Sequence, residues 1–340
     1  MKNIAKILFV AISSLSLMLS AKAGELSVSG SAKATYNASS GAQQDNGIGV
    51  TNELNFTASG ELDNGYTWSY SMELDPSTAD SGAARNDDTQ VSLTMGDLGT
   101  LKVCVSECGN NKKYAWDQSA YTSMSDTGIS EGITYPDDMG SYASIQYHTP
   151  ELPLGITASI AHGNQKSDGQ SGNATATSGD SATEYSVVMK PVDGLTLSGS
   201  YMEKNTYGDG TDHDQNEENG AYAASYSAGN ISVGYGKSFK APEATAITAG
   251  ATTAEYYENT GMSLAYAIND QVSVSYTEET AEKNMQTSST TTYDIEMQSV
   301  QVAYSLGGGT LSLARADYEN YNHVQNHDAT ETIIALAFAF

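Results

Sequence analysis

Glu53-Leu54-Asn55-Phe56-Thr57-Ala58-Ser59-Gly60-Glu61-Leu62-Asp63-Asn64-Gly65-Tyr66-Thr67-Trp68-Ser69-Tyr70-Ser71-Met72-Glu73-Leu74 spells out a hairpin. Leu54, Phe56 and Ala58 alternate with Glu53, Asn55 and Thr57. Asp63-Asn64-Gly65 turns the chain, and Tyr66, Trp68, Tyr70, Met72 and Leu74 resume the apolar series. A period of two marks a strand with one oily and one wet face, and Asn-Gly between two such runs is a strong turn signal.

The same unit recurs along the chain. Val91, Leu93 and Met95 lead through Gly96-Asp97-Leu98-Gly99 to Leu101, Val103 and Val105. Tyr185, Val187 and Met189 lead through Pro191-Val192-Asp193-Gly194 to Leu195, Leu197 and Tyr201. Tyr222 to Tyr226 pairs with Ile231 to Tyr235, Met262 to Tyr266 with Val272 to Tyr276, and Val300 to Leu306 with Leu311 and Leu313. These short turns alternate with longer polar connections at 37–48, 76–88, 165–182, 206–219, 240–255, 282–292 and 321–330. Short and long connections in alternation describe an all-β transmembrane antiparallel barrel with short turns at one mouth and long loops at the other. A sandwich gives no reason for the long loops to fall on every second connection.

Both ends fit an exported barrel. Lys2 and Lys6, the apolar Ile7 to Leu19 and the small-x-small Ala21-Lys22-Ala23 have the layout of a secretory signal peptide over 1–23. The barrel then occupies 24–340. At the far end Ile334, Leu336, Phe338 and Phe340 alternate with Ala335, Ala337 and Ala339. A strand whose outer face meets lipid has a use for interfacial aromatics, and Phe338 and Phe340 resemble a barrel-insertion signal read by the assembly machinery. With the first strand running outward and the last inward, the strand count is even. Counting Ile133-Thr134-Tyr135 as a strand gives 17; excluding it gives 16 and leaves 106–141 as one long third loop, placed to fold into the lumen.

The mean hydropathy of −0.38 suits a soluble protein, but barrels defeat that test because each strand divides its residues between lipid and water. Tyr is abundant at 22 residues and Phe scarce at 5, which favours amphipathic interfacial rings. The formal charge of −26 makes nucleic acid a poor partner and suits a pore that favours cations. Within 106–141 the charges available to a constriction are Glu107, Asp117, Asp126, Glu131, Asp137 and Asp138, opposed by Lys112 and Lys113, with Lys102 on the strand before. Strand parity points Lys33, Glu53, Glu61, Glu73 and Lys102 into the lumen, while Arg85 falls in a loop.

Cys104 and Cys108 enter an oxidising compartment on export and are read as a disulfide, provided their Cα atoms lie within about 7 Å. Two cysteines lack the ligand number of a structural zinc site. Asp209, Asp212 and Asp214 form an acidic run that is a weak calcium candidate, without the spacing or terminal Glu of an EF-hand loop. His148, His162, His213, His323 and His327 show no metal-ligand spacing. No cofactor is otherwise expected.

Three local patterns resemble the general diffusion porins of Gram-negative outer membranes. Gly96-Asp97-Leu98-Gly99-Thr100-Leu101-Lys102-Val103 is similar to the turn and strand before the porin constriction loop. Tyr147-His148-Thr149-Pro150-Glu151-Leu152 is similar to the hairpin after it, and Phe340 to the porin terminus. The resemblance implies a 16-stranded barrel, a homotrimer, and passive diffusion of small hydrophilic solutes and ions past a third loop. The family usually carries Gly-Arg where this chain has Cys104-Val105, so an arginine that helps build a basic arc is missing. Three rival readings remain, one of them a substrate-specific channel of the same fold class, in which the shortage of Lys and Arg argues against an anion or phosphate specialist. A barrel enzyme needs a nucleophile, base and orienting group, and no stretch offers that motif. An adhesin or structural barrel without an open pore fits Ser/Thr-rich segments such as 171–183 equally well.

Overall fold

Alternation along the chain becomes a closed wall in space. The computed structural model describes residues 26–42, 46–76, 84–105, 108–121, 132–163, 181–205, 213–244, 246–247, 253–287 and 291–340. The strands are β1 (Leu26–Gly41), β2 (Gly47–Glu61), β3 (Thr67–Pro76), β4 (Ala84–Thr94), β5 (Thr100–Val105), β6 (Ser144–His148), β7 (Thr157–Gly163) and β8 (Ser181–Val192). They continue as β9 (Leu195–Asn205), β10 (Glu217–Ala228), β11 (Ile231–Ala241), β12 (Ala254–Ala267), β13 (Val272–Met285), β14 (Ile295–Ser305), β15 (Gly309–Glu319) and β16 (Ala329–Ala339). Each is antiparallel to its neighbours, and β16 closes on β1 from Ser31↔Ala339 to Gly41↔Ala329. The fold is therefore a closed antiparallel barrel of 16 strands, and Ile133-Thr134-Tyr135 is loop, as the parity argument requires. Closure removes sheet edges and satisfies the backbone within the wall, which is the condition for crossing lipid with strands.

The register assigns every side chain to a face. Leu54 stands opposite Gly30 and Leu74, while Glu53 stands opposite Ser31 and Asn55 opposite Glu73. The outward series is apolar and bare: Val50 is 68% exposed, Ile145 66% and Val300 57%. A water-soluble protein does not leave such a belt uncovered. The hairpin that opened the sequence argument turns at Gly65, whose φ of 82° suits glycine, with Asn64 Oδ1 accepting the Tyr66 N–H at 3.1 Å.

Strands run further toward the long-loop mouth than the alternation predicts. β1 reaches Gly41 and β13 reaches Met285, so the connections after them are shorter than the 37–48 and 282–292 read from sequence. The reason is physical. Outward residues of upper β13 are Glu278, Thr280 and Glu282, opposite Gln298 and Glu296 on β14. The outward face is polar there while Ala281, Ile295 and Met297 point inward, so the apolar-out period is lost and the backbone ladder continues unaffected. The segment 1–23 read from sequence as a signal peptide, residues Glu107, Asp126 and Glu131, and the calcium candidates Asp209 and Asp212 lie outside the described residues.

Candidate functional site

Residues 108–121 and 132–143 return from β5 to β6 through the inside of the barrel. The loop begins at Cys104, a fully buried inward residue of β5, joined to Cys108 with Cα atoms 6.2 Å apart. Gln146 on β6 donates from Nε2 to the Cys108 carbonyl at 2.9 Å. Beyond this clasp the first limb climbs along the inner wall on a ladder of side chains. Asn110 N–H donates to Glu184 Oε2 on β8 at 2.7 Å and Lys112 N–H to Ser200 Oγ on β9 at 2.9 Å. Gln118 N–H donates to Ser263 Oγ on β12 at 2.9 Å, Ala120 N–H to Ser275 Oγ on β13 at 2.8 Å, and Tyr121 N–H to Gln301 Oε1 on β14 at 3.1 Å. A loop inside a barrel cannot pair its N–H groups with a second strand, so the wall supplies hydroxyl, amide and carboxylate acceptors.

The returning limb is fastened in the same manner. Asn259 Nδ2 on β12 donates to the Thr134 carbonyl at 2.9 Å, and Asp137 N–H donates to Asn219 Oδ1 on β10 at 2.8 Å. Tyr135 donates its hydroxyl to Glu279 Oε2 on β13 at 2.5 Å. Burial, reinforced by the Glu279 carboxylate, holds the Tyr135 phenol protonated well above its usual range. The two limbs grip each other through Lys113 Nζ to the Pro136 carbonyl at 3.0 Å and the Tyr114 and Tyr135 rings, 4.9 Å between centroids. Apolar anchors complete the seat. Met139 and Tyr142 pack on Ala161, Ala182 and Met202, while Tyr121 and Ile133 pack on Ile295, Met297, Ala314 and Ile333. These contacts run from β6 round to β16, so the open section of the lumen lies against β1–β5.

The predicted charges divide between these two regions. Lys33, Glu53, Glu73 and Lys102 all face inward on the open section, as register with Ala337, Ser31, Asn55 and Gln146 shows. Glu61 is inward too but pairs with Thr67 beside the hairpin turn, at the mouth of the short turns. Of the loop charges, Asp137 meets Lys240 of β11 at 2.8 Å and Lys113 meets Asp138 at 3.9 Å. Burial alone raises the Asp137 carboxyl, but the Lys240 ammonium outweighs it and holds the group below the ordinary aspartate range. Lys204 of β9 lies 3.7 Å from Glu217 and 3.4 Å from Glu243. Asp117 binds its own turn, accepting Ser119 N–H at 2.9 Å and Ser119 Oγ at 2.5 Å on Oδ1.

Lys102 stands opposite Gln146 of β6, whose Oε1 lies 2.9 Å from His148 Nε2, and Lys112 follows Asn110, whose Nδ2 reaches the same Gln146 Oε1 at 3.2 Å. A basic corner therefore exists beside β5 and β6 although Cys104-Val105 replaces Gly-Arg. Burial lowers the Lys112 ammonium from its usual range, and Glu184 partly restores it. Asp214 accepts the Ile247 N–H at 2.7 Å. Among the described residues no group of three or more metal-binding side chains occurs. Sequence reasoning missed the wall acceptors Glu184, Ser200, Asn219, Ser263 and Glu279. Their inward parity was legible, but their loop partners lie up to about 150 residues away in sequence.

A family model described as Gram-negative porin matches residues 9–339. Among solved structures, a porin refined at 1.8 Å is 16% identical with a TM-score of 0.65, covering 93% of this chain and all of that one. Salmonella typhi OmpF, solved with daunomycin, is 13% identical with a TM-score of 0.66 over 94% of this chain and 98% of that one. OmpT of Vibrio cholerae, solved in a trimer form, is 14% identical with a TM-score of 0.64 over 94% and 100%. Comparison with curated proteins finds no match. The family match spans nearly the whole chain, and these structures share its barrel: the chain belongs to the Gram-negative porin family, whose members are diffusion channels of the outer membrane.

Proposed function

We propose that this outer-membrane channel prefers cations among the small hydrophilic solutes and ions it passes. The observation that carries this reading is the fate of the lumen lysines. Lys113, Lys204 and Lys240 are each engaged by carboxylates, which cancels much of their field on a passing ion. Glu53 and Glu73 balance Lys33 and Lys102 on the open section, so the acidic excess is that of the chain as a whole, which carries −26. In a narrow water-filled passage with low-dielectric walls, such an excess concentrates cations and repels anions. The basic corner at Lys102 and Lys112 makes the preference graded rather than absolute. Reversal potential under a salt gradient tests it: cation selectivity supports the reading, and a reversal potential of anion-selective sign contradicts it.

The working unit in this reading is a homotrimer, embedded in outer-membrane lipid and inserted by the barrel-assembly machinery through its terminal strand. Outward positions of β1 are small at Gly30, Ala32 and Ala34, and the polar Asn52 of β2 stands opposite Ala32 within the apolar belt. An amide in lipid is costly, so a neighbouring barrel is the better cover. Cross-linking of the intact membrane tests this: a band of three chains supports it, and monomer alone contradicts it.

A further inference from the structure

We infer that Trp116 sets the aperture of the passage by seating its indole over two wall glycines and its backbone carbonyl over a third. The inference rests on the channel reading above. Trp116 is only 2% exposed, and its Nε1 donates to the Lys113 carbonyl at 2.9 Å, closing the turn that carries it. Its own carbonyl accepts Ser263 Oγ of β12 at 2.8 Å. Beneath the ring the wall presents glycines, with Ala223 of β10 beside them. Gly236 of β11 and Gly261 of β12 are direct register partners, and Gly234 is the inward residue next to Gly236, opposite Ser263.

A methyl group at any of the three has nowhere to go. A Cβ on Gly261 comes within 2.1 Å of Trp116 Cζ2, one on Gly236 within 2.6 Å of Cδ1, and one on Gly234 within 1.8 Å of the Trp116 carbonyl oxygen. Glycine within strands weakens them and marks a close approach of another group. Here the approaching group is the indole at Gly236 and Gly261 and the Trp116 carbonyl at Gly234. The loop lies between this wall and the passage, so anything that fills the socket drives the loop toward β1–β5. Lys112 and Lys113 precede the ring and Asp117 follows it; the depth of the indole therefore positions the loop charges as well as the gap. Trp116 acts here as a positioning residue.

The test reads single-channel conductance and reversal potential of purified full-length protein in planar bilayers, with folding checked by heat-modifiable gel mobility. Gly261→Ala is expected to lower the conductance step by about twofold as the loop is pushed into the passage. Trp116→Ala is expected to raise current noise and shift the reversal potential as Lys112 and Asp117 lose their position, and Trp116→Phe to keep both near the parent values. In the Trp116→Ala background, Gly261→Ala is expected to have no further effect, because the methyl enters an emptied socket. Folded Gly261→Ala protein with parental conductance, or an equal effect of Gly261→Ala in both backgrounds, overturns the inference. If Gly261→Ala does not fold, Gly236→Ala is read in its place against the same outcomes. A parent that folds but does not conduct overturns the channel reading instead.

Discussion

Lys102 and the pair Glu53 and Glu73 pull the selectivity of the open section in opposite directions. Lys102 faces Gln146 on β6, and Glu53 receives the Ser31 hydroxyl at 3.3 Å. Replacing Lys102 with Gln removes a positive charge from the basic corner, and the reversal potential moves toward stronger cation selectivity. Replacing Glu53 and Glu73 together with Gln moves it the other way. Asp137 governs the response to acid. Its carboxyl is held below 3.8 by Lys240 against the effect of burial, so the ion pair contributes fully above that value and is lost as pH falls through the lower folded value. The Asp137–Lys240 contribution to loop anchoring is thus unchanged between about pH 5 and 8 and weakens only below about 4. Asp137→Asn is expected to raise current noise already at neutral pH and to abolish the further rise that the parent shows below about pH 4. At this scale the sequence is informative about charge and face, because strand parity alone assigns Lys33, Glu53, Glu73 and Lys102 to one side of the wall. It was silent on pairing: nothing near Asp137 announces Lys240, which belongs to another strand.

The third loop is an element without secondary structure of its own, and its stability comes from what holds it. The Cys104–Cys108 link closes a loop of five residues, for which chain entropy gives about 2 kcal/mol. Cys104→Ser with Cys108→Ser is expected to leave the β content unchanged while lowering resistance of the loop to protease, and a barrel that fails to form marks a larger role for the link. The strands themselves were legible wherever one face met lipid and the other water. They became illegible toward the outer mouth, where the outward face turns polar. Lys237 pairs with Glu258, and Arg315 donates to Asp317 at 2.9 Å, all on that face. On β14 the apolar outward series runs only from Val300 to Leu306. Seven tilted residues cover about 15 Å, short of a belt of about 25 Å. The loop path was legible as a length and a position, since 106–141 must fall between β5 and β6. Its seat was not, because the hydroxyl ladder and the glycine socket are scattered over β8–β14.

At the scale of the whole molecule, closed wall and folded-in loop divide the work. The wall meets lipid with an apolar exterior and satisfies its own backbone. The loop lines β6–β16 from inside and leaves a passage against β1–β5, where the solute meets Lys33, Glu53, Glu73 and Lys102. Evenness of the strand count, argued from the direction of the first and last strands, was the step that turned a list of hairpins into this architecture. The central claim is an open passage whose charge excess favours cations. The most direct measurement is the single-channel current of the purified protein in a planar bilayer under a salt gradient. The account predicts discrete conductance steps and a reversal potential displaced toward the cation equilibrium potential; folded protein that passes no current, or a displacement toward the anion equilibrium potential, contradicts it.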